Sequence, residues 1–140
     1  MTAAIHTDVV SGGCLCGAVR YRLQRPLRPV VACHCQQCRR TSGHYVSATS
    51  VPRQHFALTR DEGLKWYRSS PHARRGFCAE CGSSLFWSAD ALDTISIMSG
   101  TIDGETGLTT VAHICVADKG DYYELDPSEP QYDALDYPSP

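Results

Sequence analysis

Three short cysteine blocks carry the residues of this chain that could do chemistry. Cys14-Leu15-Cys16 is a C-x-C pair, and Cys33-His34-Cys35-Gln36-Gln37-Cys38 is a C-x-C-x-x-C triplet. Cys78-Ala79-Glu80-Cys81 is a C-x-x-C pair followed by Gly82. Seven of the eight cysteines lie in these blocks, and seven thiols divide as four and three. Four thiolates close a tetrahedral zinc site, whereas three leave a coordination position open. A closed site holds a fold together, and an open one can polarise a substrate atom. A C-x-x-C in a tight turn folds its second thiol back beside the first, and a glycine relieves the backbone where the turn reverses. A C-x-C in an extended strand places both side chains on one face. A redox dithiol normally opens a helix of a βαβ unit, and the surroundings of Cys78 and Cys81 read as strands, so metal binding is favoured there. Spacing alone leaves the partnership open. Cys78 and Cys81 can share a metal with Cys14 and Cys16, or with two members of the triplet.

The elements that must position these thiols are mostly strands. Val19–Leu23 alternates, Val30–Cys33 enters the triplet, and Tyr45–Val51 is rich in aromatic, β-branched and small residues before Pro52. Gln36–Ser42 has room for about two helical turns, with Gly43 as its stop. Phe56–Thr59 and Leu64–Tyr67 flank Asp61-Glu62-Gly63 and predict a hairpin. Arg74–Cys78 runs into the second pair, and Ser84–Trp87, Thr94–Met98 and Thr110–Val116 complete a series of short strands. The pattern predicts a mainly β domain with one short helix. A single zinc-binding domain is expected over residues 1–132. The last sixteen residues hold four prolines and four acidic residues without Lys or Arg, and residues 133–140 are expected to form a flexible tail.

Composition narrows the function classes. The 140 residues are 42% hydrophobic with a net charge of −2, which suits a globular chain and offers no basic excess for nucleic acid. No apolar run is long enough to span a bilayer, and Met1–Val10 has no apolar signal-peptide core. A cytoplasmic location is therefore expected. In that reducing compartment clustered cysteines bind metal or react more often than they form disulfides.

Three stretches carry a specific resemblance. They are Gly12-Gly13-Cys14-Leu15-Cys16-Gly17-Ala18-Val19-Arg20-Tyr21, the triplet with Arg39-Arg40, and Phe77-Cys78-Ala79-Glu80-Cys81-Gly82-Ser83. In order and spacing they resemble the glutathione-dependent formaldehyde-activating enzymes, a family with a centromere protein V branch. Ser99-Gly100-Thr101-Ile102-Asp103 and Ala112-His113-Ile114 extend the likeness over roughly residues 11 to 132. The resemblance implies a β-tent fold, also found in methionine-R-sulfoxide reductases. It implies two zinc ions per chain, one structural on Cys14, Cys16, Cys78 and Cys81, and one tied to activity on Cys33, Cys35 and Cys38. It also implies glutathione as co-substrate and a carbon–sulfur lyase-type reaction yielding S-(hydroxymethyl)glutathione from formaldehyde. The chain departs from the family near Asp121-Tyr122-Tyr123-Glu124-Leu125, where a tryptophan is common.

Other residues beside the cysteines also bear on the chemistry. His34 should face away from its two flanking ligands, as an outer support or a surface histidine. Arg39 and Arg40 could stabilise the net negative charge of a zinc with three thiolates and attract a glutathione carboxylate, and Arg74 and Arg75 invite the same reading. Cys115, on a predicted strand with His113, reads as a core thiol. A non-catalytic zinc and glutathione carrier is the alternative to the enzyme. A thiol reductase using Cys115 ranks below both.

Overall fold

In the computed structural model, residues 8–135 are described. Ten strands and one α-helix follow from alternation interrupted by turns. A three-stranded antiparallel sheet holds β1 (Val9–Gly13), β2 (Arg20–Gln24) and β5 (Phe56–Arg60), in the order β1-β2-β5. A seven-stranded sheet holds β3 (Val30–Cys33), β4 (Val46–Pro52), β6 (Leu64–Ser70), β7 (Ala73–Cys78), β8 (Ser84–Ala89), β9 (Thr94–Met98) and β10 (Thr110–Ile114). Its order is β10-β3-β4-β9-β8-β7-β6. Its pairs are antiparallel except β3 with β10, which run parallel at one edge. The helix α1 spans Gln36–Ser42 and stops at Gly43, whose φ of 81° is the left-handed conformation that glycine adopts without a side-chain penalty.

The predicted hairpin between Phe56–Thr59 and Leu64–Tyr67 does not form. β5 pairs with β2 and β6 pairs with β7, so the Asp61-Glu62-Gly63 turn carries the chain from one sheet to the other. The turn is tied down by contacts that local sequence does not display. Gly63 donates to the Ala18 carbonyl at 3.1 Å and accepts from the Ala79 amide at 2.7 Å. The predicted strand over Thr110–Val116 also ends early, at Ile114, because Cys115 turns into the left-handed region with φ 56°. The expected tail falls partly on residues 136–140, which lie outside the described residues. Ala134, at its start, accepts a hydrogen bond from the Cys115 amide at 3.1 Å.

Period-two alternation gives the large sheet two working faces. One face meets the small sheet. There Tyr21 and Leu23 pack with Val51, Phe86, Ile95 and Ile97 in the main core. Tyr21 meets Phe86 edge-on with ring centroids 5.4 Å apart, a favoured aromatic geometry. The opposite face turns alternate residues towards the cysteine triplet. β9 sends Ile95 and Ile97 to the core and Ser96 and Met98 to the other side. β4 sends Val51 to the core and Val46 and Ala48 across. Val46, Ala48 and Met98 gather with Cys38 in a second, smaller apolar cluster, which supports the triplet from below.

Candidate metal centres

The first centre is built from two turns. Cys14 and Cys16 follow β1 in the turn to β2, rather than lying in an extended strand as the C-x-C spacing suggested. Cys78 ends β7, and Cys81 sits in the turn to β8. Gly17 and Gly82 reverse these turns with φ of 85° and 82°. The four sulfurs lie within 4.8 Å of one another. Cys14 Sγ is 3.7 Å from Cys16 Sγ, and Cys16 Sγ is 3.8 Å from Cys78 Sγ. A tetrahedral ion with metal–sulfur bonds of about 2.3 Å requires sulfur–sulfur edges of about 3.8 Å. The donor set therefore fits a zinc-sized ion. Backbone amides also point at the sulfurs, with Val19 N donating to Cys14 Sγ at 3.2 Å. The Ser83 hydroxyl stands 3.2 Å from Cys81 Sγ, and hydrogen bonding by Ser83 draws the Cys81 thiol down to about 5. These are the features of thiols arranged to act as thiolates.

The second centre is local. Cys33 ends β3, Cys35 caps α1, and Cys38 lies within the helix. Their sulfurs lie within 4.8 Å of one another. Cys35 Sγ accepts from the Cys38 amide at 3.3 Å. Interaction with the thiols of Cys33 and Cys38, helped by backbone amides, pulls Cys35 down to about 2. The same contact with Cys35 pushes Cys33 up to about 12, and Cys33 and Cys35 push Cys38 up. One thiolate forms readily and opposes the next two, as expected of like charges in one site. A divalent cation removes that opposition, so this donor set also suits a metal.

The triplet opens on a cavity of about 540 Å³. Arg28 and Arg75 stand in its wall, whereas Arg39 and Arg40 do not. Arg39 Nε donates to the Asp118 carbonyl at 3.0 Å, and Arg40 is exposed. Arg75 lies three residues before Cys78, an odd offset along one strand, and so points to the opposite face of the sheet. That parity was the sequence signal separating Arg75 from Arg74, which instead lies over the Trp66 ring at 4.0 Å. Arg75 Nη2 donates to Gln37 Oε1 at 3.1 Å and reaches Cys38 Sγ at 3.8 Å.

His34 faces away from the cavity, as strand parity predicts, but it is fully buried and not on the surface. Its Nε2 meets His113 Nδ1 at 2.9 Å, and its Nδ1 meets the Tyr123 hydroxyl. His113 Nε2 is in turn 2.7 Å from Glu129 Oε1. Burial, reinforced by the charge of His113, pushes His34 down to about 4. This chain fixes the residue between two triplet cysteines. Tyr122 and Tyr123 are not in the cavity wall, and the tryptophan that is there is Trp87. Cys115 also lines the cavity, and burial raises its pKa.

A family model described as glutathione-dependent formaldehyde-activating enzyme matches residues 9–118. The chain is similar to an uncharacterized lyase of Schizosaccharomyces pombe, with 29% identity over 81% of this chain and 83% of that one. It is similar to a Halomonas elongata protein named as a glutathione-dependent formaldehyde-activating enzyme, with 28% identity over 93% of this chain and 89% of that one. A crystal structure of a Rhodobacter sphaeroides protein shares the fold with a TM-score of 0.58 at 22% identity, covering 69% of this chain and 91% of that one. Among the described residues, no helix is long and apolar enough to cross a membrane.

Proposed function

The chain belongs to the glutathione-dependent formaldehyde-activating enzyme family, and we propose that it is a zinc-dependent carbon–sulfur lyase-type enzyme acting on glutathione adducts of small aldehydes. The observation that carries this reading is the three-thiol cluster opening on a cavity that also holds a buried arginine. In this reading Cys14, Cys16, Cys78 and Cys81 hold a structural zinc. Cys33, Cys35 and Cys38 hold the second ion, which when bound would lower the pKa of the incoming thiol or polarise the aldehyde oxygen. The chain supplies the remainder. Val46, Ala48 and Met98 fix the floor under Cys38, and the His34 chain fixes the Cys33–Cys35 span. In this reading Arg75 is the arginine beside the reacting groups, and Arg39 and Arg40 supply positive charge that attracts a glutathione carboxylate. Burial raises the Cys115 thiol, the opposite of what a nucleophilic cysteine needs, so a Cys115-based reductase is disfavoured.

Exchange NMR of glutathione with formaldehyde tests the reading. Reduced, zinc-loaded protein should accelerate exchange with S-(hydroxymethyl)glutathione above the spontaneous rate. Saturable glutathione binding with no acceleration would make the protein a carrier instead.

A further inference from the structure

We propose that the triplet cavity is built for glutathione adducts whose aldehyde-derived carbon carries a bulky apolar group, with Arg75 as the donor to the adduct oxygen. This rests on the lyase reading and names its substrate class.

The first observation is the wall. Val31, Val46, Ala48, Trp87, Met98 and Ile114 all line the cavity on which the triplet opens. Each comes from a strand position that alternation turns away from the main core, Trp87 lying opposite Ser96 and Ile114 opposite Cys33. A hydroxymethyl group has almost no apolar surface to set against such a wall and would leave it in contact with water. An aryl or branched alkyl group would cover it. Sites of about 300–1,000 Å³ with mostly apolar walls and a few placed polar groups suit ligands with this division of character.

The second observation is Arg75. Only 7% of its surface is exposed. Among the described residues no carboxylate pairs with it, and its buried Nε has no hydrogen-bond partner. A buried guanidinium remains charged, and leaving it incompletely paired is costly unless something else takes up its donors. Its Nη2 already reaches Cys38 Sγ, so the charge stands beside the reacting centre. In the addition step the thiol gives up its proton, and a sulfur electron pair forms the carbon–sulfur bond. The carbonyl π pair moves to oxygen, which then takes a proton and ends as hydroxyl. Cleavage is the reverse, and nothing is oxidised or reduced. Negative charge develops only on oxygen, and Arg75 is the fixed donor available to it.

Calorimetry on the reduced, zinc-loaded protein with two unreactive thioethers tests the pocket without turnover. S-benzylglutathione should bind at least about tenfold more tightly than S-methylglutathione, as hydrophobic pockets discriminate by about that factor per group or more. Ala48→Leu, which narrows the wall, should shrink the difference to less than about threefold. Equal binding of the two thioethers by the parent overturns the pocket, whatever the enzyme turns over. Exchange NMR then compares phenylacetaldehyde with formaldehyde, and kcat/KM should favour the aryl aldehyde by about tenfold or more. A preference for formaldehyde overturns the substrate class. If the benzyl preference holds but no aldehyde is turned over, the lyase reading and the role of Arg75 both fail, and the apolar pocket stands. Arg75→Met should lower kcat about 100-fold while leaving S-benzylglutathione affinity within about threefold, because the thioether's benzyl carbon carries no hydroxyl oxygen for Arg75 to hold. Arg75→Lys should restore part of kcat. Parallel loss of thioether binding and kcat in both variants would make Arg75 structural and overturn its assignment.

Discussion

At the scale of single residues, the two cysteine sets predict opposite failures. Cys78 is fully buried and belongs to a centre whose other pair lies more than sixty residues earlier, with Cys16 and Cys78 separated by 62 positions. Binding at such a structural site contributes folding free energy of about 10–16 kcal/mol in small zinc domains, as large as the whole stability of a typical domain. Cys78→Ser should therefore be unfolded or insoluble by circular dichroism. Cys35→Ser should keep its β spectrum and one zinc by elemental analysis, and lose glutathione-dependent turnover. A folded Cys78→Ser with one zinc and no activity would exchange the two roles. Tyr21 makes a pH-dependent prediction. Thr101 donates to the Met98 carbonyl, so the Tyr21 hydroxyl donates to Thr101 Oγ1 at 2.7 Å. Burial holds its pKa up at about 12 against 10.0 for a free tyrosine. Between those values the unfolded chain has lost a proton that the folded chain keeps, so stability falls as pH rises. The contribution is complete below pH 10, and about 3 kcal/mol is lost by pH 12. Parent protein should exceed Tyr21→Phe by about 1 kcal/mol near pH 8, for the hydrogen bond, and the gap should close near pH 11. Urea midpoints across that range check it, and a constant gap rejects it.

At the scale of elements, Gly63 packs closely where the chain passes from one sheet to the other. A Cβ there would stand 2.8 Å from Ala18 Cβ and 2.9 Å from Cys78 Sγ. Neither neighbour is the free end of a long side chain, and overpacking of this kind costs about 1–3 kcal/mol. Gly63→Ala should also displace the Cys78 sulfur, so if zinc sits on the four cysteines a chelator should strip it at lower concentration than from the parent. Gly104→Ala is the comparison. It has a φ of 69° with open space, so it should lose about 1 kcal/mol of stability with the chelator midpoint unchanged. The same region marks the limit of what local sequence displays. The helix Gln36–Ser42 was legible because its length and its terminal glycine are local signals. The strands were legible because alternation reports a half-buried face. The turn at Asp61-Glu62-Gly63 was misread as a hairpin because pairing is decided by what lies across the sheet. Here that is Ala18 and Ala79, both distant in the chain from the strands they separate.

At the scale of the whole molecule, the cysteine clusters were legible because metal-binding cysteines come at characteristic short spacings, and Arg75 is told from Arg74 only by its odd offset from Cys78 along one strand. Burial of Arg75 and half-burial of Arg74 on the other face is a property of the sheet, and Trp87 and Met98 enter the cavity by the same tertiary rule. The two centres differ in what they hold together. A metal on the four cysteines would join the β1–β2 turn to the β7–β8 turn and close a loop of more than sixty residues. The triplet spans only Cys33 to Cys38, a segment already fixed by β3, α1 and the apolar cluster beneath it. Three thiolates on an ion there would also leave an open position through which a competing chelator could reach it. A graded chelator titration of protein loaded with two zinc ions should therefore proceed in two stages. The first equivalent should leave with the β spectrum intact, the melting temperature little changed and aldehyde exchange abolished. The second should leave only at higher chelator concentration, together with cooperative unfolding. Simultaneous release of both ions, or unfolding with the first, would mean that the triplet also carries the fold and that the division into structural and reactive centres is wrong.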